Sequence, residues 1–323
     1  MLRLRYLVLM LALIAAAPRA PAAEGGCGAI VEYPAMKSPF MAPVDVTVWL
    51  PLGYAASKAR YAVVYLQDGQ NLFDTSPKPS GSPDGAKWGA DTVAAGLMAK
   101  GEIRPAILVG VANLGIDRSR QYVPEAVYAR LPAAVRKALH RQFGGAPFSD
   151  AYLRFLVETL KPFIDAHYRT DPGRASTFVM GSSMGGLIAL YALGQYPEVF
   201  GGAACLSTHW PVVLPGPGGT SYAGADPPFA PAVTRAFVAY LRAKLGAPRG
   251  RRLWFDHGTR SLDAYYGPYQ RRIDRAVAGL GWRRGVDFES RVYPGATHNE
   301  HAWRARLAEP LEFLLKVYEA PSH

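Results

Sequence analysis

The sequence predicts an α/β fold in which a mainly parallel sheet is wrapped by helices on both faces. Three observations carry that reading. Strand-like and helix-like segments alternate along most of the chain. Two of the strand-like runs, at 61–66 and 106–111, are continuously apolar, as strands covered on both faces are. A third, Ser176-Thr177-Phe178-Val179-Met180, runs into Gly181-Ser182-Ser183-Met184-Gly185-Gly186 and then into a helical segment, the order strand, tight turn, helix.

The elements follow in order. Val44, Val46, Val48 and Leu50 alternate with Asp45, Thr47 and Trp49, the period of a half-buried strand that stops at Pro51. Between the two apolar runs, 91–100 reads as a helix. Residues 152–167 carry Leu153, Leu156, Leu160 and Phe163-Ile164 on one helical face, with a kink expected at Pro162. After the turn at Ser183 come a helix over 186–196, a strand over 202–206, a helix over 232–245 and a strand at 253–255. A helix over 269–280, a strand over 288–292 and a last helix over about 300–317 complete the pattern. Segments 76–86, 121–150 and 210–231 lack such regularity. They follow strands whose C-terminal ends border the expected crevice, and are candidates for walls that shape a substrate site.

Composition bounds the class. The 323 residues are half apolar, and the formal charge is +11. Residues 1–23, with Arg3 and Arg5 before an apolar core and a small-residue end at Ala20-Pro21-Ala22-Ala23, read as a secretory signal peptide. Residues 24–323 then read as one domain, periplasmic or secreted, with no membrane span. Removal of the leader leaves +8. The basic residues are scattered in small clusters, so nucleic-acid binding is not expected. Only Cys27 and Cys205 are present, which excludes a disulfide-rich scaffold while permitting one bridge between them.

The turn at Ser183 sets the chemistry. Gly181 and Gly185 let strand and helix approach, leaving the Ser183 hydroxyl exposed above the sheet as a nucleophile. Such a hydroxyl needs a histidine base, and the histidine a carboxylate that fixes its tautomer. His298 follows the last strand in Pro294-Gly295-Ala296-Thr297-His298 and is the candidate base. Asp263, beyond the end of the preceding strand, is favoured as the acid over Asp256, whose alternative role is to anchor the glycine turn at Gly258. The oxyanion amides are expected at Met184, after the nucleophile, and at Gln70 in Leu66-Gln67-Asp68-Gly69-Gln70, where Gly69 allows an unusual turn. His209, Trp210 and Trp303 are candidate substrate-cleft residues. His298 and His301, one helical turn apart, lack the further ligands of a zinc site, so no metal or cofactor is expected.

Taken together, Val48-Trp49-Leu50-Pro51, Tyr65-Leu66-Gln67-Asp68-Gly69-Gln70-Asn71-Leu72-Phe73, Trp88 with Asp91, Arg104-Pro105, the Gly181–Gly186 turn and the stretch from His298 to Trp303 resemble the putative-esterase family of α/β-hydrolases. That family includes feruloyl and acetylxylan esterases, siderophore trilactone esterases and mycolyltransferases. The resemblance covers nearly the whole mature chain. It implies the α/β-hydrolase fold and ester hydrolysis without a cofactor, acting on a small-molecule or carbohydrate ester, with Ser183 and His298 as nucleophile and base. Many members carry the acid nearer the glycine than Asp263 lies to Gly258. A binding protein that keeps the scaffold without catalysis is the alternative of another class.

Overall fold

The computed structural model describes residues 26–215, 222 and 227–316. The expected leader, 1–23, and parts of the segment 210–231 lie outside them.

One eight-stranded sheet organises the chain: β1 (Gly28–Met36), β2 (Val44–Pro51), β3 (Ala62–Gln67), β4 (Ala106–Val111), β5 (Thr177–Ser182), β6 (Gly202–Leu206), β7 (Arg252–Gly258) and β8 (Phe288–Tyr293), in the order β1-β2-β4-β3-β5-β6-β7-β8. The pairs β1–β2 and β2–β4 are antiparallel, and every pair from β4 to β8 is parallel. The helices are α1 (Ala90–Ala99), α2 (Arg118–Tyr122), α3 (Glu125–Tyr128), α4 (Ala133–Phe143), α5 (Ser149–Arg154), α6 (Lys161–His167), α7 (Met184–Gln195), α8 (Ala230–Lys244), α9 (Gly267–Ala278), α10 (Glu300–Arg306) and α11 (Ala308–Leu314).

The two-residue period of the strands divides the core into two layers. Val63 and Tyr65 of β3, Ile107 and Val109 of β4 and Val179 of β5 face one cluster, which α5 to α9 cover with Leu187, Phe237, Ile273 and their neighbours. Val64 and Leu66, Leu108, Phe178 and Met180 face the other, covered by Leu97 of α1 and Leu307, Leu311 and Leu314 around α10 and α11. The strand order reverses between the parallel neighbours β3 and β5, because β3 leads through α1 to β4 on one side while β5 leads through α7 to β6 on the other. Their loops diverge to opposite faces and leave a crevice at the C-terminal edge of the sheet.

Several elements differ from the sequence reading. β1 was not expected: it is an edge strand interrupted by Pro34, with a register shift between Tyr33 and Met36, so its apolar run is short. Segment 121–150 is largely helical, its helices kept short by Pro124, Pro132 and Pro147. Within it α4 buries Val135, Leu139 and Phe143 along one face. The helix expected over 152–167 runs as three consecutive stretches, Ser149–Arg154, Phe155–Leu160 and Lys161–His167, with Pro162 at the start of the last. The middle stretch, Phe155–Leu160, is π-helical and lies just before Pro162, whose missing N–H leaves one rung of the ladder unmade. The last helix breaks at Leu307, since Pro310 cannot donate to the carbonyl of Arg306.

Cys27 and Cys205 are free thiols. Cys27 precedes the edge strand β1 and Cys205 lies in β6, five strand spacings away, about 24 Å at the usual separation and far beyond the reach of a disulfide. Among the described residues no helix is long and apolar enough to cross a membrane.

Candidate active site

Because β3 to β8 run parallel, the residues that follow them gather at one edge: Asp68 to Asn71 after β3, Asn113 and Arg118 after β4, Ser183 after β5, Ser207 after β6, Asp263 after β7 and His298 after β8. A cleft of about 310 Å³ lies there, lined by Asp68, Gln70, Asn71, Gly81, Trp88, Asn113, Arg118, Ser182, Ser183, His298, Glu300 and Trp303. A wider groove of about 780 Å³ between α8 and α9 contains none of these groups.

Ser183 joins β5 to α7 at φ 56°, ψ −123°, a conformation that costs a non-glycine residue about 1–3 kcal/mol. Surrounding hydrogen bonds hold it there. Its N–H donates to Leu206 O at 2.9 Å, and its carbonyl accepts from Gly186 N at 3.1 Å and His209 N at 3.0 Å. A Cβ at Gly181 would meet the Gly185 carbonyl oxygen at 2.4 Å, so the strand and helix touch backbone to backbone. The third glycine also matters, since a Cβ on Gly186 would come within 2.7 Å of Thr208 Oγ1, tighter than the 3.1 Å found at Gly185.

The loops carrying His298 and Asp263 are stitched together. Thr259 and Arg260 N–H both donate to Ala296 O (3.1 and 3.0 Å), and His298 N–H donates to Ser261 Oγ (2.9 Å). Gly258 allows this, because a Cβ there would lie 2.2 Å from Ala296 O. The result is a 2.6 Å hydrogen bond from His298 Nδ1 to Asp263 Oδ1. The other oxygen, Asp263 Oδ2, accepts from Ser207 Oγ at 2.6 Å and Gly258 N at 2.5 Å. Burial would push the Asp263 carboxyl up, but the hydrogen bond and charge of His298, with the Ser207 and Gly258 donors, hold it below the usual range. Its Nδ1–H committed, His298 has its other nitrogen free for the cleft that it shares with Ser183.

Asp256 does not reach His298. Fully buried, it accepts from Arg306 Nε at 3.0 Å, Trp254 Nε1 at 2.8 Å and Ser207 N at 3.2 Å. Burial raises its carboxyl above the ordinary range despite these donors, Arg306 foremost. Its anchoring partners are thus Arg306 and the backbone of Ser207 rather than the Gly258 turn.

In the turn after β3, the left-handed residue is Asp68 (φ 58°), not Gly69. Gly69 is required for a different reason: a Cβ on it would meet the backbone of Gly110 and Val111 at 2.7–2.8 Å. Gln70 lines the cleft beside Ser183, and Met184 opens α7, where the first N–H groups lack intrahelical acceptors. Asp91 fixes the chain beyond this turn by accepting from Asp74 N, Thr75 N and Thr75 Oγ1.

Of the three proposed cleft residues, only Trp303 lines it. Its ring stands edge-on to His298, centroids 5.1 Å apart at 83°, and packs on Trp88 at 5.7 Å. His209 and Trp210 are buried behind the site. His209 Nδ1 pairs with Tyr266 OH (2.7 Å) and Nε2 with Val213 O (3.0 Å), and burial, with the charge of His298, pushes its imidazole down to about 3. Trp210 donates to Gln270 Oε1 at 2.8 Å and packs on Phe237 and Phe255. They follow β6, but the chain turns at Ser207 (φ 42°) and both side chains are buried rather than open to the cleft. His301 is exposed and pairs with Asp84 at 3.1 Å. Among the described residues no group of three or more His, Cys, Asp or Glu is placed to hold a metal.

Arg118, Asn113 and Glu300 were not singled out by the sequence reading. Asn113 Nδ2 and Arg118 Nε donate to Asp68 Oδ1 (2.6 and 2.7 Å), and Arg118 Nη2 to Oδ2 (2.7 Å). Glu300 accepts from Asn71 Nδ2 at 3.0 Å and Ser82 Oγ at 3.1 Å. Glu300, two residues past the candidate base, was the readable signal.

Comparisons with known proteins place the family and the fold. The chain is 28% identical over 159 residues to the ferri-bacillibactin esterase BesA of Bacillus subtilis, a match covering 47% of this chain and 50% of that protein. The chain spans about half the length of the curated relatives it matches. A ferulic acid esterase structure superposes with a TM-score of 0.58 at 20% identity, covering 90% of this chain and 98% of the other. An IroE-like serine hydrolase from Shewanella oneidensis gives 0.60 at 20% identity, over 88% and 79%. The family model described as "Putative esterase" matches residues 40–314, and the chain belongs to that family.

Proposed function

We propose that the protein is a cofactor-independent serine esterase that hydrolyses carboxylic esters through an acyl-enzyme. The observation that carries the reading is the His298–Asp263 hydrogen bond beside the strained Ser183, in one cleft. Ser183 Oγ attacks the acyl carbonyl while His298 takes its proton. The oxyanion is held by the N–H groups of Gln70 and Met184, and Asp263 stabilises the imidazolium. Collapse expels the alcohol, which takes the proton back, and water repeats the sequence to release the acid.

For substrate we infer acyl or feruloyl esters of carbohydrates or similar alcohols. The aromatic walls Trp88 and Trp303 suit a planar acyl group, and the polar lining from Asn71, Asn113 and Glu300 suits a hydroxylated alcohol. The similarity to BesA supports a siderophore trilactone as the second reading, and acyl transfer to an acceptor alcohol follows if water is excluded from the acyl-enzyme. The leader-like residues 1–23 support export to the periplasm or medium.

The test is a panel of acetyl, butyryl, feruloyl and catecholate trilactone esters offered to the purified full chain. Turnover of a feruloyl or acetyl sugar ester supports the leading reading, and turnover of the trilactone alone selects the second. Failure on every ester, with no reaction toward a fluorophosphonate, favours a binding protein on the same scaffold.

A further inference from the structure

Behind Asp263 lies a buried polar cluster that the esterase mechanism does not itself require. Ser207 follows β6, Asp256 lies in β7, and Trp303 and Arg306 lie one turn apart on α10. Ser207 Oγ accepts from Arg306 Nη2 at 2.7 Å and from Trp303 Nε1 at 3.0 Å. A hydroxyl has two lone pairs and one proton. With both lone pairs engaged by groups that only donate, the proton has one destination, Asp263 Oδ2 at 2.6 Å. The arginine is fixed in turn by Asp256, whose Oδ1 lies 3.0 Å from both its Nε and its Nη2.

We propose that Ser207 and Arg306 are positioning residues that lock the orientation of Asp263 toward His298, with Ser207 the one-way connector and Arg306, anchored on Asp256, the group that sets its direction. The proposal rests on the reading of His298 as base and Asp263 as its acid. With Oδ2 occupied by Ser207 and Gly258, only Oδ1 remains for His298, so the carboxylate cannot rotate between partners. Charge balance points the same way. The cluster holds two carboxylates, Asp256 and Asp263, and one guanidinium, so an imidazolium formed on His298 during acyl transfer supplies the second cation. Other titratable neighbours are already engaged: the Tyr266 ring stands edge-on to His298 while its hydroxyl pairs with His209, and Glu300 is held by Asn71 and Ser82. Tyr293 lies under the Arg306 guanidinium, 5.0 Å from ring centroid to Cζ.

The experiment compares Ser207→Ala and Arg306→Lys with the wild-type full chain, and uses Ser183→Ala as the inactive reference. Readouts are kcat, KM, the acid limb of the pH profile and the melting temperature. In Ser207→Ala, kcat falls about 10- to 100-fold at unchanged KM, the cost of a misaligned catalytic pair. Its acid limb moves to higher pH by roughly half a unit, because Asp263 without the hydroxyl donor holds the imidazolium more tightly. Arg306→Lys keeps the cation but not the fork that spans Asp256 and Ser207, so kcat falls while the acid limb stays in place. A lowered melting temperature in both variants, with wild-type kcat and an unmoved limb, marks a purely structural cluster and overturns the proposal. Retained hydrolysis in Ser183→Ala overturns the serine-nucleophile reading on which the lock rests, and the lock with it. An inactive Ser183→Ala beside an unaffected Ser207→Ala removes the lock alone.

Discussion

Arg118 grips Asp68 with two edges of its guanidinium, Nε to Oδ1 and Nη2 to Oδ2, both at 2.7 Å, and so ties the loop after β4 to the turn that carries Gln70. Asp68 is nearly buried, while the Arg118 side chain is 29% exposed. Breaking the pair leaves a carboxylate with little water and only Asn113 as a side-chain donor.

Arg118→Ala is therefore expected to lose about 2–3 kcal/mol in denaturant unfolding, less than a fully buried pair because solvent already reaches the arginine. Ester turnover should fall as well, since the left-handed Asp68 sets the direction of the Gln70 amide. Arg118→Lys, which supplies charge without the fork, should recover part of the stability. Unfolding within about 0.5 kcal/mol of wild type in Arg118→Ala would contradict this account of the turn.

The two aspartates of the β7 region separate by function. Asp263→Asn presents an amide that cannot stabilise the imidazolium, so turnover should drop by roughly 10³- to 10⁴-fold while the protein stays folded. Asp256→Asn disturbs the Arg306 and Trp254 hydrogen bonds and should mainly cost stability, about 1–3 kcal/mol. Turnover and melting temperature measured on both variants check this. Near-normal turnover in Asp263→Asn beside a large loss in Asp256→Asn would reverse the roles.

Much of this arrangement is legible in the amino-acid sequence. The elbow at Ser183 is a local pattern, strand then glycine turn then helix, and His298 stands directly after the last strand. Asp263 lies past the end of β7, where a carboxylate has room to reach back, whereas Asp256 is inside it. The lock is not legible there, because Ser207 meets Asp256, Asp263 and Arg306 across 49, 56 and 99 residues of sequence. His209 and Trp210 mislead for a related reason: position after a strand fixes the sheet edge, while the backbone at Ser207 decides whether the next side chains face the cleft or the core.

His209 is expected to make the protein acid-sensitive. Its folded imidazole is pushed down to about 3 from an unfolded value near 6.5, so the unfolded chain binds a proton that the native state refuses. The stability associated with neutral His209 is complete above about pH 6.5 and is lost as pH falls toward 3, by up to about 1.4 kcal/mol per pH unit. Urea unfolding at pH 7 and pH 5 should show this slope. His209→Gln, which keeps an acceptor for Tyr266 and a donor for Val213, should flatten it, and an equal slope in the variant would place the sensitivity elsewhere.

Chelation should leave hydrolysis unchanged, because the mechanism built on Ser183, His298 and Asp263 moves protons and an acyl group with no Lewis acid. Assay with and without EDTA checks this. A loss that added metal restores would argue for a metal-dependent hydrolase.

The most direct test of the central claim is covalent labelling with a fluorophosphonate followed by peptide mass spectrometry. The strained Ser183, served by His298, is expected to carry a single adduct, and Ser183→Ala should be both unlabelled and inactive while unfolding normally. An adduct on Ser182 or Ser207, or ester hydrolysis surviving in Ser183→Ala, would contradict it.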